Sequence, residues 1–509
     1  MGQQPLPNST PDPFKRLPSE VLRLIVGQFC AHCCGEYEQP FKVESSVQDT
    51  TTLYNLCLAS RHFRDPSQEI LFHCFGVEAI SSLSWTDGWK WRLEPFLRTI
   101  ASRHDLARSV KIVNLHWLLL CQLSFDGSKD IFDKCAISLG TSAFSIFLHS
   151  RTGKSSETST IRESFLLRGP IPSGIQPGQY LPIVASELLA IILAVLPQIF
   201  YLGVMQDPRF VKDPNIERGR GWQLDVSLHT LDALGLHSLG LKTLESDYGI
   251  PKLISRAKNL ETFITGGYVE GHAPELPNLK SLHIIHGWTA RLRPATGYLP
   301  LCTGHLTSLS FTAAEPDIST LLEYLDQPRF HDSLESLHLD FRVSPNTTMQ
   351  PMPSLKLFTK LRTLFLPARP IYITAFAPRS LVDILPPTIE SLAVVDDSLP
   401  RSHYHLYVDM VRLQQNKTKL FPNLRWVISD SHRLDDPVLS GLFWAAGIAL
   451  ICRNLLKQPR RYTGHPDDRD RDPQPVREIG WLEQHLLNIG IDPSPQVLPL
   501  PGDLSDDDL

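Results

Sequence analysis

The sequence lacks the features that mark nucleic-acid-binding and disulfide-stabilised proteins. Its 49 basic residues are outnumbered by 54 acidic ones, so the formal net charge is −5 and there is no cationic excess for a phosphate backbone. Its nine cysteines, an odd number spread over 509 residues, favour reduced thiols over a disulfide framework. We therefore expect no nucleic-acid partner and a location in the cytoplasm, the nucleus or both.

Long apolar runs are also scarce. The first residues do not combine a basic region with an apolar stretch, so they do not predict a secretory signal. The apolar stretch 181–205 contains Glu187 and Pro197, and the stretch 438–452 is too short for a hydrocarbon core of roughly 30 Å. We interpret both stretches as buried helices and expect no membrane partner.

Motifs for catalysis and cofactor binding are incomplete. The sequence contains neither H-E-x-x-H nor G-x-S-x-G, and Leu148 stands where a phosphate loop ending in Gly153-Lys154-Ser155 would need its first glycine. The segment Cys30–Cys34 has soft ligands at metal-like spacing, but no second Cys or His pair follows at a matching distance. A thiol-rich start of a loop is the favoured interpretation. We predict no catalytic residue, no metal site and no cofactor.

The N-terminal part of the sequence contains three short patterns typical of helices. The first runs from Pro18, which suits the first helical position, to Phe29 along one apolar stripe. The second is predicted from Asp49 or Thr50 to Ala59, and the third from an N-cap at Asp65 with Pro66 at the next position. Three such helices in about 60 residues make a marginal domain, which favours a module that docks on a partner.

These residues resemble a known family. The segments 17–25 (Leu-Pro-x-Glu-Val-Leu-x-x-Ile), 56–64 (Leu-Cys-Leu-Ala-Ser-Arg-x-Phe-Arg) and 70–72 (Ile-Leu-Phe) occur in the order found in F-box proteins, and are similar in particular to those of filamentous fungi. The stretch 31–50 between the first two helices is longer than is usual in that family.

The resemblance implies an apolar docking surface for a Skp-type adaptor, which is itself bound to a cullin. The residues it assigns to this surface are Leu17, Pro18, Val21, Leu22, Ile25, Leu56, Leu58 and Phe63. The alternative is that these residues only form the core of a small helical domain. Some of them must hold the helices together in either case.

A second pattern recurs through the rest of the chain as L-x-x-L-x-L. Starting from residue 279, the first apolar positions are 306, 334, 361 and 389, which gives steps of 27, 28, 27 and 28 residues. A further copy begins at Leu260, weaker ones begin at Ile199 and Leu424, and 110–115 is a candidate first strand. The period is typical of leucine-rich repeats, in which a short strand is followed by a connector that often carries a helix.

The predicted fold class is therefore α/β. A small N-terminal three-helix F-box precedes an irregular leucine-rich repeat solenoid with a parallel sheet. We expect irregularity because the Asn or Cys of the consensus bend is replaced by Gly287, Ala314, Arg342, Arg369 and Asp397. An ordinary α/β domain with leucine-rich strands is the alternative.

The predicted organisation has four parts. Residues 1–13 form a disordered lead-in, 14–76 the F-box, and 77–457 the repeat array with a loop insert at about 150–180. Residues 458–509 form a charged, Pro-rich segment, a short helix and an acidic tail.

The side chains that flank the inward-pointing residues of each strand are predicted to line the concave face of the repeats. This row is small, polar and nearly free of Arg and Lys, so it does not favour a phosphorylated ligand. Its candidate substrate-binding members are Ser281, His283, Ile285, Ser310, Thr312, Ser336, His338, Asp340 and Phe365. Loops and inserts are the alternative binding surface.

Two functions follow from these patterns. The first is a non-catalytic, substrate-recruiting subunit of a Skp-cullin-F-box ubiquitin ligase, which holds a protein substrate near the ubiquitin donor. The second is a scaffold that binds the Skp adaptor without a cullin. An enzyme is disfavoured because no constellation of residues supports one.

Overall fold

A computed structural model of the chain describes its helices and strands in detail. The described residues are 17–30, 32–34, 43–76, 84–116, 120, 125–141, 177–205, 226–246, 250–265, 274–285, 295–312, 318–340, 351–372, 379–395, 400–431, 434–452, 460–461 and 474–475. The predicted lead-in 1–13, most of the predicted loop 150–180 and the predicted C-terminal helix and acidic tail lie outside them.

The chain divides into two compact units, which we describe separately. Unit 1 comprises 1–333, 341–350 and 456–476, and unit 2 comprises 334–340, 351–455 and 477–509. Both units are α/β with parallel strands, so the predicted fold class is confirmed at this level.

Unit 1 begins with helices and continues as a parallel sheet in chain order, with a separate two-stranded antiparallel pair near its end. Its helices are α1 (Ser19–Gly27), α2 (Val43–Ala59), α3 (Arg61–Leu71), α4 (Ser84–Ser102), α5 (His104–Ser109), α6 (Phe125–Ser138), α7 (Pro177–Val195), α8 (Leu228–Ala233), α9 (Pro251–Arg256), α10 (Ile318–Leu325), α11 (Pro328–His331) and a 3-10 helix (Ala295–Leu301). Its parallel strands are β1 (Cys74–Gly76), β2 (Ile112–His116), β3 (Tyr201–Met205), β4 (Thr243–Ser246), β5 (Thr262–Thr265), β6 (Ser281–Ile285) and β7 (Ser308–Thr312).

Unit 2 repeats the same plan. Its strands are β8 (Ser336–Asp340), β9 (Thr363–Pro367), β10 (Ser391–Val395), β11 (Trp426–Ser429) and β12 (Ala449–Cys452), and each is parallel to the next. Its helices are α12 (Arg369–Tyr372), α13 (Leu381–Ile384), α14 (Pro400–Gln415), α15 (Lys417–Leu420) and α16 (Pro437–Ala445). The antiparallel pair assigned to unit 1 is β13 (Arg460–Arg461) with β14 (Gln474–Pro475).

The repeat pattern predicts the strands because its second leucine forms a continuous buried row. In unit 2 this row runs from β8 to β12 through Leu337, Leu364, Leu392, Val427 and Leu450, paired in register. The first four are at most 1% exposed. Each fully buried leucine stabilises the fold by roughly 1.5–3 kcal/mol, so the row is a main source of stability.

Backbone hydrogen bonds join neighbouring repeats in a regular way. The carbonyl of Glu335 accepts from the amides of Arg362 and Thr363 at 2.8 and 3.0 Å, and the same double contact recurs from Arg362 to Glu390 and Ser391. These bonds lie where each strand begins, so they fix the register of one repeat on the next.

Some predicted boundaries are corrected. The stretch 181–205 is helical only as far as Val195, and its end is strand β3. The stretch 438–452 is α16 followed by β12, with Gly447 at φ 70° in the turn between them. A left-handed residue at this position ends the helix, which the apolar composition alone does not reveal. Among the described helices, none is both long and apolar enough to span a bilayer.

Candidate functional site

Helix α1 carries apolar residues on both of its sides. Leu22 and Val26 are 1% and 0% exposed, whereas Val21, Leu24 and Ile25 are 36%, 70% and 41% exposed. Positions 21, 24 and 25 follow the i, i+3, i+4 spacing of one helix face. A nine-residue surface helix needs only one apolar stripe to pack, so the second stripe has no role in its own fold.

Helix α2 has a smaller exposed apolar face. Tyr54 and Leu58, one helical turn apart, are 56% and 65% exposed, while Leu53 is buried. Leu53 belongs to the core of the helical domain together with Val26 and Ile70. The core is therefore complete without Tyr54 and Leu58.

The predicted docking residues divide between this surface and the core. Pro18, Val21, Ile25 and Leu58 are exposed and Leu17 is half-buried. Three others lie in the interior: Leu22 is buried, and the partly buried Leu56 and Phe63 pack against the core. Leu22 is thus a core residue in this structure, because α1 turns it inward with Val26.

Leu24 and Tyr54 were not among the predicted residues. Leu24 is the most exposed large apolar side chain of α1, and Tyr54 is exposed on α2 next to the predicted Leu58. The i, i+3 spacing from Val21 to Leu24 could have indicated the first of them. Nothing in the local sequence distinguishes Tyr54 from a residue that packs inward.

The predicted polar row of the sheet is brought together but is not open to solvent. Two of its members in unit 1, His283 and Ser310, pair across β6 and β7 and are 5% and 2% exposed. Ser281 is half-buried, and the side chains of Ile285 and Thr312 lie outside the described residues. Burial lowers the pKa of His283 to about 4, because its charged form would lose hydration.

The same row in unit 2 is packed more tightly. The ring of His338 stacks on that of Phe365, with centroids 4.0 Å apart and planes 8° from parallel. Phe365 continues into a buried cluster with Ala393 and Ile428 on the neighbouring strands. Ser336 and Asp340 are 9% and 3% exposed. The expectation of an accessible row is therefore corrected for its buried members: a partner could reach them only after this face opened.

A group of potential metal ligands lies where the helical domain meets the first strand. Cys30, His32 and Cys33 follow α1, and His73 stands directly before β1. Their four ligand atoms all lie within 4.8 Å of one another. Sequence reasoning missed this group because its fourth member is 40 residues beyond Cys33.

The individual distances within this group are short. The Nδ1 atom of His73 is 3.3 Å from the Cys33 Sγ and 3.7 Å from the Cys30 Sγ, and the Nδ1 atom of His32 is 3.7 Å from the Cys33 Sγ. Zinc binds thiolate and imidazole ligands, whereas hard cations such as magnesium and calcium prefer oxygen ligands. Two thiols and two imidazoles therefore suit zinc.

A polar cleft between α3 and α5 borders His73, and its lining contains side chains of both charges. Its charged lining residues are three acidic and three basic ones: Asp65, Glu69, Asp105, Arg103, Arg108 and Lys111. The Arg103 guanidinium lowers the pKa of the Asp105 carboxyl to about 2, so both groups stay charged and neutralise each other. The cleft has no excess charge that would select an ionic ligand.

No family model matches the chain, and no curated protein is similar to it at a significant level.

Proposed function

We propose that this chain is the substrate-recruiting adaptor subunit of a Skp-cullin-F-box ubiquitin ligase. Its N-terminal helices dock on a Skp-type adaptor, the repeats behind them hold a protein substrate, and the chain itself carries out no catalysis. The observation that carries the proposal is the exposed stripe of Val21, Leu24 and Ile25 on a helix whose other side already fills a core.

The composition of this stripe suits a protein partner. Each apolar anchor that a partner buries contributes roughly 1.5–3 kcal/mol, so a few anchors provide a useful affinity. Arg23, between two of the anchors, forms an ion pair with Glu69 of α3 at 3.1 Å. Charged groups around an apolar patch are typical of the rim of a protein interface.

Substitution within the stripe tests the docking step. We expect Leu24→Asp combined with Ile25→Asp to weaken binding of the full chain to a purified Skp-type adaptor by at least about 100-fold, because two lost anchors amount to roughly 3 kcal/mol. The control is Leu357→Asp, an exposed leucine of unit 2 (57% exposed). The measurement is isothermal titration calorimetry, with circular dichroism to verify that each variant is folded.

The docking proposal would be wrong if the folded double variant bound the adaptor as tightly as the parent chain. It would also be wrong if Leu357→Asp weakened binding equally, because the effect would then not be specific to α1.

The ligase role needs a further experiment. We expect affinity purification of the tagged chain from cells to recover a cullin together with the adaptor. Recovery of the adaptor without any cullin would instead favour the scaffold function. Proximity labelling under proteasome inhibition identifies the substrates. It is carried out with the parent chain and with the Leu24→Asp/Ile25→Asp variant. Substrates are the proteins that both chains label but that accumulate on inhibition only with the parent chain.

We infer a cytoplasmic or nuclear location from the few, scattered cysteines.

A further inference from the structure

Four side chains of types that bind metals come from two distant segments and converge on one point of unit 1. The first segment supplies Cys30, His32 and Cys33 in a C-x-H-C pattern at the end of α1. The second supplies His73, which joins α3 to β1. The convergence therefore depends on the tertiary fold of the helical domain and not on local sequence alone.

The distances agree with those of a tetrahedral zinc site. Zn–S bonds of about 2.3 Å and Zn–N bonds of about 2.0–2.1 Å give S···N edges of about 3.5 Å. Three of the four S···N distances in this group are 3.3, 3.7 and 3.7 Å. The other distances among the four ligand atoms are at most 4.8 Å, so a zinc ion at the centre would draw the four side chains closer together.

Hydrogen bonding among these groups explains the arrangement less well. The Nδ1 atom of His73 lies near both thiols at once, although a single nitrogen has one lone pair or one proton to offer. The adjacent Cys34 behaves differently, since its Sγ points to the backbone carbonyls of Gly27 and Gln28 at 3.6 and 3.5 Å. Cys30 instead approaches the imidazole of His73, and Cys33 approaches those of His73 and His32.

The surroundings favour a structural site over a catalytic one. Cys30 is 5% exposed, and the His32 ring contacts the rings of His73 and Phe200, with centroids 5.0 and 5.5 Å away. Four protein ligands leave no open coordination position for a substrate or water. The carbonyl of His73 also accepts the amides of Lys111 and Ile112 at 2.8 and 2.9 Å, so this ligand is fixed to the first strands of the sheet.

We propose that Cys30, His32, Cys33 and His73 bind one Zn²⁺ ion, which ties the end of α1 to the start of β1. The ion connects the helical domain to the first strand within unit 1. This site is independent of the docking stripe, because none of its ligands belongs to the exposed face of α1.

Zinc content and cobalt substitution test the site on the full chain. We expect one zinc per chain by inductively coupled plasma mass spectrometry after purification without chelators. Replacement by Co²⁺ should give the visible d–d bands of tetrahedral cobalt and a thiolate-to-cobalt charge-transfer band. Cys33→Ser and His73→Gln should weaken zinc binding by more than about 100-fold, since loss of an outer-sphere partner alone weakens metal binding 10–100-fold.

Matched controls separate the ligands from their neighbours. Cys34→Ser and His104→Gln replace an exposed cysteine and an exposed histidine outside the group, and both should keep the parent zinc content. Cys33 is itself exposed, so its replacement removes a ligand without opening a cavity in the core. If Cys33→Ser still retains cobalt, its charge-transfer band should fall to about half, because one of two thiolates is gone.

Three results would overturn the proposal. The first is a parent chain that has neither zinc nor tetrahedral cobalt bands. The second is a Cys34→Ser variant that loses as much zinc as Cys33→Ser. The third is a Cys30–Cys33 disulfide detected by mass spectrometry in protein purified under reducing conditions.

Discussion

At the residue scale, a buried carboxylate organises part of unit 2. Asp409 of α14 is 3% exposed and accepts hydrogen bonds from the Tyr372 hydroxyl, the Ser380 hydroxyl and the Leu381 amide at 3.0, 2.7 and 2.7 Å. Burial and the neighbouring carboxylate together raise the pKa of Tyr372 well above its usual range, so its hydroxyl remains a donor.

We expect Asp409→Ala to lower the free energy of unfolding by about 3–5 kcal/mol, because it leaves buried donors without an acceptor. Tyr372→Phe should lower it by only about 1–2 kcal/mol, since it removes one donor and leaves the carboxylate two others. Urea denaturation followed by circular dichroism measures both. Equal effects of the two substitutions would show that the tyrosine and not the carboxylate holds the network.

A second residue, His283, makes stability depend on pH. Its pKa is about 4 in the fold and about 6.5 in the unfolded chain, and its Nδ1 has no hydrogen-bond partner among the described residues. The unfolded chain therefore binds more protons between these values. The contribution of His283 to the free energy of unfolding is therefore fully present above about pH 6.5. It falls by up to about 3 kcal/mol as the pH drops to 4.

His283→Gln should make the free energy of unfolding depend less on pH, without abolishing folding at neutral pH. The measurement is the urea midpoint at a series of pH values between 4 and 7, and His237→Gln, at an exposed histidine, serves as the control. A parent chain and His283→Gln variant with parallel pH profiles would contradict the assignment.

At the element scale, periodic patterns predicted the strands better than capping patterns predicted the helices. The copies that begin at Leu279, Leu306, Leu334, Leu361 and Ile389 each contain a strand two residues later, because every repeat must bury its second leucine. The prediction of those five strands is confirmed. The short strands β1, β4 and β12 were missed, because in each of them the pattern is weak or truncated.

Helix α3 begins earlier than the sequence predicted. The Asp65-Pro66 pair was assigned to the N-terminus, but the helix begins at Arg61 and Pro66 lies inside it. Ser60 is the N-cap, and its hydroxyl accepts from the amide of His62 at 3.2 Å. The preference of proline for a first turn was outweighed by packing, since Pro66 and Ile70 are both buried.

The two candidate caps can be separated by substitution. We expect Ser60→Ala to lower the free energy of unfolding by about 1 kcal/mol, whereas Asp65→Ala should change it by less than about 0.5 kcal/mol. Chemical denaturation of the full chain, followed through the far-ultraviolet circular dichroism, measures the difference. A larger effect of Asp65→Ala would restore the cap predicted from the sequence.

At the scale of the whole molecule, the sequence predicted its class and part of its candidate surfaces. The resemblance to F-box proteins assigned Val21 and Ile25 to the docking surface, and local spacing alone places both on one face of α1. It could not predict the meeting of Cys33 and His73, which depends on how α3 returns to the end of α1. Nor could it predict the burial of His338, since alternation identifies the face of a strand but not what covers that face.

Because the strands of the sheet follow one another in chain order, the effect of a substitution on the stability of neighbouring strands can be predicted within a unit. In unit 2 each strand pairs only with its neighbours, so stability should be a sum of local terms and strand-to-strand contacts. Leu364 of β9 is fully buried and is in register with Leu337 and Leu392 on the adjacent strands. Leu364→Ala should therefore lower local stability by about 2–5 kcal/mol.

Hydrogen exchange can resolve that effect strand by strand. Amide protection should fall most in β8, β9 and β10 and least in β12, because the cavity removes contacts shared by the first three. Leu357→Ala, at an exposed leucine of the same unit, should leave protection unchanged. Equal loss from β8 to β12 would instead mean that unit 2 opens as one cooperative block, in which the contacts between strands outweigh the stability of any single repeat.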